Sequence, residues 1–265
     1  MNNYAVRLED VCFAYESEMI LKHIDAGIEA NRITFVMGNN GSGKTTLLKS
    51  ILGFLNPQSG RILINGASVS SIEKRSLSKL ISYVPQAIHL NTDFSVIDYL
   101  ALGRTPHVGL LAELNEKDYR IIEKYVVRLG IEKILGTPFN KLSGGQKQIV
   151  AIARNLIQDT PLIVLDEPMS ALDIGKQVDL LVVFQELLQE GKTVILTTHN
   201  PNHALTTESN AWFLSSGELV YYGRSKEIIS EELLQKTYGD NIALDHGEKQ
   251  DFVVFNPDKI KPTLD

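Results

Sequence analysis

The chain has 265 residues, of which 26 are Lys or Arg and 32 Asp or Glu, for a net charge of −6, and 43% are hydrophobic. That composition supports a sizeable core and excludes wholesale disorder, and the length fits one domain with an insertion or two intimate ones. An acidic total supplies no basic face for a nucleic-acid backbone, so no nucleic acid is expected as a partner.

The single cysteine, Cys12, rules out an intramolecular disulfide and any zinc site with more than one thiolate. It reads as a small buried hydrophobe on a strand. The first residues, MNNYAVRLED, lack the apolar core of a signal peptide, and nowhere do roughly 18 apolar residues run together. A reducing, cytosolic setting is expected.

Along the chain, Val6 and Leu8 alternate with Arg7 and Glu9, and Val11, Phe13 and Tyr15 continue the period of two. This pattern predicts edge-like antiparallel strands. Ile33-Thr34-Phe35-Val36-Met37 is a short apolar run followed at once by glycines, then by a helical pattern at Leu47, Leu48, Ile51 and Leu52. After a strand at Ile81–Val84, residues 87–159 hold only helical signals and loops. There Tyr119, Ile122, Val126 and Leu129 fall on one helix face.

Leu162-Ile163-Val164-Leu165 and Thr193-Val194-Ile195-Leu196 are two more short apolar runs. They are too short for helices and too continuous for a half-wet sheet, and so predict parallel strands covered on both faces. Between them Val178, Leu181, Phe184 and Leu188 mark a second helix face, stopped by Gly191. The expected fold is α/β with crossovers. Residues 1–86 and 160–240 form a discontinuous core, 87–159 an inserted helical subdomain, and 241–265 a polar tail whose role the sequence does not disclose.

Three segments carry chemistry. Gly38-Asn39-Asn40-Gly41-Ser42-Gly43-Lys44-Thr45, with Thr46 behind it, fits the phosphate-loop pattern between a strand and a helix. Its glycines let successive amides face a phosphate chain, and the helix N-terminus adds partial positive charge. Lys44 suits the β- and γ-phosphates and the Thr45 hydroxyl suits Mg²⁺. Leu162-Ile163-Val164-Leu165-Asp166-Glu167-Pro168 is a buried strand ending in two carboxylates, where ligands of such sheets bind. Asp166 is the candidate to hold Mg²⁺ and Glu167 the candidate general base toward water. In Leu142-Ser143-Gly144-Gly145-Gln146, Ser143 reads as an N-cap of a helix through Ile149, Ile152, Ala153 and Leu156. Adjacent glycines inside a helix cost about 1 kcal/mol each relative to alanine, so they mark a close backbone approach.

The ordered set of phosphate loop, Gln86 after a strand, LSGGQ at 142–146, LDEP at 165–168, Ser170-Ala171-Leu172-Asp173 and His199 after a strand resembles the nucleotide-binding subunits of ABC transporters. The resemblance covers nearly the whole chain. It implies a RecA-like P-loop NTPase core with an N-terminal antiparallel β subdomain and an inserted α-helical subdomain. It also implies an ATPase working as a head-to-tail homodimer with ATP and Mg²⁺ at the interface. Each nucleotide would lie between residues 38–46 of one protomer and Ser143, Gly144, Gly145 and Gln146 of the other. The resemblance assigns Tyr15 to stacking on adenine, Gln86 to Mg²⁺ or the attacking water, His199 to the γ-phosphate and Asp173 to the dimer contact. Met169 stands where the family commonly has threonine, and Asn200 where it commonly has an acidic residue. His23, His89, His203 and His246 belong to no constellation.

The segment 91–107, with Gly103-Arg104-Thr105-Pro106-His107, resembles ATPase subunits of bacterial importers for iron-siderophore, haem, cobalamin and related metal chelates. That resemblance implies a separate membrane permease, an extracytoplasmic substrate-binding protein and a peripheral place on the cytoplasmic face of the inner membrane. As packing alone, Arg104 would cap a helix C-terminus and Pro106 would start a loop. A non-transport ABC ATPase serving soluble partners, as in iron–sulfur cluster assembly, is the alternative. A P-loop kinase would leave Ser143 to Gln146 unexplained.

Overall fold

The computed structural model describes residues 4–88, 93–108 and 113–256. His89 and the Asn91-Thr92 start of the importer-like segment lie outside them. In chain order the elements are β1 (Tyr4–Tyr15), β2 (Glu18–Glu29), β3 (Ile33–Met37), α1 (Lys44–Ile51), β4 (Ser59–Ile64), β5 (Ala67–Ser68), α2 (Lys74–Leu80) and β6 (Ile81–Val84). Then come α3 (Val96–Ala101), α4 (Thr105–Val108), α5 (Glu116–Arg128), α6 (Gly144–Ile157), β7 (Leu162–Leu165), α7 (Ile174–Gln189) and β8 (Thr193–Thr197). The chain closes with α8 (Asn202–Leu205), β9 (Ser209–Ser215), β10 (Glu218–Arg224), α9 (Ser225–Ile228), α10 (Glu231–Tyr238), β11 (Ile242–His246) and β12 (Asp251–Phe255). The folded chain divides into two compact units, Met1–Ser70 with Thr197–Asp265, and Ser71–Leu196.

In the first unit β1 pairs antiparallel with both β2 and β4, so it is an interior strand and not the edge its alternation suggested. Its period of two also breaks: Val11, Cys12 and Phe13 are all buried, because the registers to both neighbours shift there. A bulge places consecutive side chains inward, which no strict alternation can do. The wholly buried β3 pairs in parallel with β9, and β10 closes on β9 as an antiparallel hairpin. The polar tail, whose role the sequence does not disclose, holds the hairpin β11–β12, and α10 directly precedes it. Asn202 grips that hairpin, accepting from the Val253 amide at 2.7 Å and donating to the Val253 carbonyl at 3.2 Å.

In the second unit β6, β7 and β8 form a parallel ladder, and every residue of β7 and β8 is buried. Helix α6 buries Ile149, Ile152, Ala153 and Leu156, as its spacing predicts. The other two helix faces need correction. In α5 Tyr119 is exposed, and Tyr125 joins Ile122, Val126 and Leu129 inside. In α7 Val178 is exposed, and Leu180, Leu181, Val183, Phe184 and Leu187 form the buried face. Apolar residues surround most of α7, so spacing alone does not select which side meets the core.

The importer-like segment also folds inward. Arg104 is buried and pairs with buried Asp118 of α5 at 2.8 Å, while it donates to the Ile157 carbonyl in the last turn of α6 at 2.9 Å. His107 Nε2 meets the Gln158 carbonyl at 2.7 Å. Pro106 sits inside the short helix α4 and does not open a loop. Arg104 thus does cap a helix C-terminus, that of α6. Burial alone would raise the Asp118 carboxyl, but the Arg104 hydrogen bond, the Asn115 amide and the Arg104 and His107 charges hold it below the usual range.

Candidate functional site

The phosphate-loop residues stand on β3 and α1 of the first unit. Gly38 follows β3 at φ 141°, and a Cβ there would lie 2.2 Å from the Leu214 carbonyl oxygen, so only glycine fits. The loop closes on itself through the Ser42 amide to the Asn39 carbonyl at 3.2 Å, and Gly217 donates to the Ser42 carbonyl at 3.2 Å. Gly43 is the left-handed N-cap of α1, and no side chain caps that end. Lys44 is buried and its ammonium donates to the carbonyls of Gly38 at 2.8 Å and Asn39 at 2.9 Å. The Ser42 hydroxyl is buried with no hydrogen-bond partner.

A buried cation, an orphaned hydroxyl and an uncapped helix start within a few residues suit an anion, and the phosphates of a nucleotide fit them. Asn39, Asn40 and Gly41 are exposed at the mouth, Thr45 is half-buried and Thr46 buried. Tyr15, at the end of β1, is 46% exposed and meets Phe13 edge-to-face at 4.9 Å between ring centroids. Its ring is therefore open to stacking.

His199 lies exposed in the turn after β8. Its neighbours are organised by His203, which sequence reasoning left without a role. His203 is buried, shares a hydrogen bond of 2.9 Å with the Thr198 hydroxyl, and Thr198 in turn accepts from the Asn200 amide at 3.1 Å. Burial pushes the His203 imidazole down to about 4 from 6.5. Between those two values the unfolded chain takes up a proton that the folded chain refuses. Stability therefore falls as the pH drops from 6.5 to about 4, by up to about 3 kcal/mol. His203→Gln should flatten that part of a plot of unfolding midpoint against pH. An unchanged slope would show that other groups set the acid limb.

The carboxylates belong to the second unit. The Asp166 amide donates to the Val84 carbonyl at 2.9 Å, which extends the β6–β7 ladder by one step and places buried Asp166 directly at the strand end. Nearby Tyr83 is pushed up to about 12 by burial and by the Asp166 charge. Glu167 turns left-handed, at φ 49°, an uncommon conformation for a non-glycine residue that re-aims its side chain away from the strand. The Gln86 amide donates to Glu167 Oε2 at 3.0 Å, and the Ser170 hydroxyl donates to the Glu167 carbonyl at 3.0 Å. The structure thus brings together Gln86 and Glu167, 81 residues apart.

Ser143 caps α6 reciprocally with Gln146. The Ser143 amide donates to Gln146 Oε1 at 2.9 Å, and the Gln146 amide donates to the Ser143 hydroxyl at 3.3 Å. The Ser-x-x-Gln spacing is that of a capping box, a reciprocity that reading Ser143 as an N-cap does not include. A Cβ on Gly145 would sit 3.1 Å from the Ala171 carbonyl, whereas Gly144 faces open space. The close approach implied by the paired glycines is, at Gly145, a contact within the chain. Asp173 caps α7 by accepting from the Lys176 amide at 2.9 Å. No described helix is long and apolar enough to cross a membrane.

Comparison with known proteins bears on the whole arrangement. The family model described as "ABC transporter" matches residues 21–170. The manganese transport system ATP-binding protein MntA of Synechocystis sp. is 33% identical over 237 residues, covering 88% of this chain and 90% of its own. The iron(3+)-hydroxamate import ATP-binding protein FhuC of Bacillus subtilis is 29% identical over 231 residues, covering 87% and 86%. Among solved structures, a chain described as an inward-facing ABC transporter of metal-chelate type superposes with a TM-score of 0.80 at 28% identity, over 96% of each chain. A dimeric ATP-binding cassette in a post-hydrolysis state with ADP and Pi superposes at a TM-score of 0.73 and 27% identity, over 83% and 98%. With its phosphate loop, its strand-end carboxylates and its serine-capped glycine helix all in that family's order, the chain belongs to the ABC transporter family as an ATP-binding ATPase subunit.

Proposed function

We propose that this ATPase powers an importer for a metal chelate, such as an iron-siderophore, haem or cobalamin, or for a related metal substrate. It would do so as a homodimer on the cytoplasmic face of the membrane, docked to a separate permease that an extracytoplasmic binding protein supplies. The observation that carries the reading is near-full-length similarity to ATP-binding proteins named for manganese transport and iron(3+)-hydroxamate import. A groove of about 410 Å³ supports it, lined by Tyr83, Pro85, Ile88, Tyr99, Leu102 and Arg154. It is apolar with one cation at hand, and takes an amphipathic permease helix.

In this reading residues 38–46 cradle the ATP phosphates, with Lys44 exchanging its loop carbonyls for phosphate oxygens, and Tyr15 stacks on adenine. Thr45, Gln86 and Asp166 offer hydroxyl, amide and carboxylate oxygens, a hard donor set that fits Mg²⁺. The ion, when bound, neutralises phosphate charge. Glu167 accepts the proton of the attacking water, Gln86 holds the Glu167 carboxylate in place, and His199 contacts the γ-phosphate. Ser143, Gly144, Gly145 and Gln146 of a second protomer complete the grip. ATP drives closure because it binds the closed dimer better than the open one.

Ser143→Arg tests the shared site. Losing the cap costs about 1 kcal/mol, so the monomer folds. ATP-dependent dimerisation, measured by light scattering with the Mg·ATP-bound protein, should disappear, and a variant that still dimerises would overturn the trans arrangement. Capture of the tagged chain from detergent-solubilised membranes tests the transport reading. An integral-membrane companion is expected, and recovery with soluble partners alone would overturn it.

A further inference from the structure

Where β1 bulges, the chain gathers three side chains of metal-ligating type. Val11 pairs with Ile24 and Phe13 with Leu21, so Cys12 faces both Lys22 and His23 on β2. On the other side Glu9 pairs with Arg61 and Cys12 with Ser59, leaving Asp10 and Val11 opposite Gly60 alone. Two bulges therefore overlap at Asp10 and Cys12, and bulges re-aim side chains. Asp10 and His23 both adopt left-handed backbone, at φ 51° and 49°.

The outcome is a cluster in which a carboxylate oxygen of Asp10, Sγ of Cys12 and an imidazole nitrogen of His23 all lie within 4.8 Å of one another. It is the one such group of three among the described residues. The His23 amide donates to Cys12 Sγ at 3.2 Å, and His23 Nδ1 meets Asp10 Oδ1 at 2.7 Å. Cys12 lies buried beneath, while the Asp10 and His23 side chains stand open to solvent above it.

We propose that Asp10, Cys12 and His23 form a binding site for a borderline divalent transition metal, Zn²⁺ above all, completed by water. The donor set decides the class. One thiolate, one imidazole and one carboxylate suit Zn²⁺ or Co²⁺ and not Mg²⁺ or Ca²⁺, which take oxygen shells. Bonds of about 2.0–2.3 Å in a tetrahedron hold ligand atoms roughly 3.3–3.7 Å apart. The ligand atoms, now within 4.8 Å of one another, must close to that spacing, while the Asp10–His23 contact opens from 2.7 Å by about 0.6 Å. The metal then takes the place of the thiol proton, which is released to solvent, while a neutral His23 ligates through Nδ1 with its proton on Nε2, so binding tightens as pH rises. Neither strand alone supplies the set, so the metal ties β1 to β2 and stabilises the folded chain by mass action. This site is separate from the nucleotide residues, and the inference does not rest on transport.

Cobalt titration of the purified chain without nucleotide tests it. Cys12 is the only thiol, so a thiolate-to-Co²⁺ charge-transfer band reports on this site alone. We expect a band that saturates at one Co²⁺ per chain, vanishes on adding equimolar Zn²⁺, and strengthens as pH rises. His23→Asn and Asp10→Asn keep residues that tolerate left-handed backbone, so the bulges survive. Each should weaken Co²⁺ binding at least tenfold and cancel the Zn²⁺-induced rise in unfolding temperature. Absence of the band at millimolar Co²⁺, or an equal band in both variants, would overturn the site.

Discussion

Glu167→Gln is expected to bind ATP like the unaltered chain while its turnover falls about 100-fold or more, the range a positioned general base supplies. The substitution is close to a clean removal of basicity. An amide oxygen at this position still accepts from Gln86, whose donor lies 3.0 Å from Glu167 Oε2, and the Ser170 bond goes to the backbone carbonyl. The left-handed turn at residue 167 is therefore kept. ATP-bound dimers should accumulate, because closure still occurs and hydrolysis no longer reopens them. Nucleotide binding by fluorescence, phosphate release and dimer mass together decide the matter. Near-normal phosphate release would remove Glu167 from the role of base, and lost binding would mean that the change disturbed the fold.

Arg104→Ala is expected to lower stability by about 3–5 kcal/mol, since truncating one partner leaves the other charge buried and unpaired. Both side chains are buried at 7% and 4% exposure, and Arg104 also donates to the Ile157 carbonyl. The double variant Arg104→Ala with Asp118→Asn should recover part of the loss, because a neutral amide is cheaper to bury than a lone carboxylate. Urea unfolding of the three variants measures the difference. If Arg104→Ala alone costs under about 1 kcal/mol, the pair is behaving as a solvent-exposed one would. The Asp118 carboxyl is held below its usual range, so its contribution is present above the ordinary carboxylate pKa and fades as pH falls through the depressed one.

The same pair shows how local sequence can be read correctly and still be misplaced. Gly103 to His107 belong to the importer-like segment, and as packing alone Arg104 reads as a helix C-cap and Pro106 as a loop start. In the fold a Cβ on Gly103 would strike the Arg154 carbonyl at 2.6 Å, and Arg104 and His107 end on carbonyls at the close of α6. The groove that the segment does line draws on buried Tyr99 and exposed Leu102, which precede Gly103 in the chain. Histidines had a similar fate. His203 and His246 find partners five residues away, in Thr198 and Asp251, while His23 meets Asp10, 13 residues away on the paired strand.

From sequence alone one could read the phosphate loop, the carboxylate strand end, the capped glycine helix and the buried parallel strands. Each is a run of neighbouring residues whose chemistry comes from consecutive amides, a helix terminus or a period of apolar side chains. Tertiary structure decided which side of α5 and α7 is buried, that β1 is interior, that Gln86 meets Glu167, and that Asp10, Cys12 and His23 converge. Those facts depend on register shifts, on bulges and on the partner each surface finds, and such quantities have no period along a single chain.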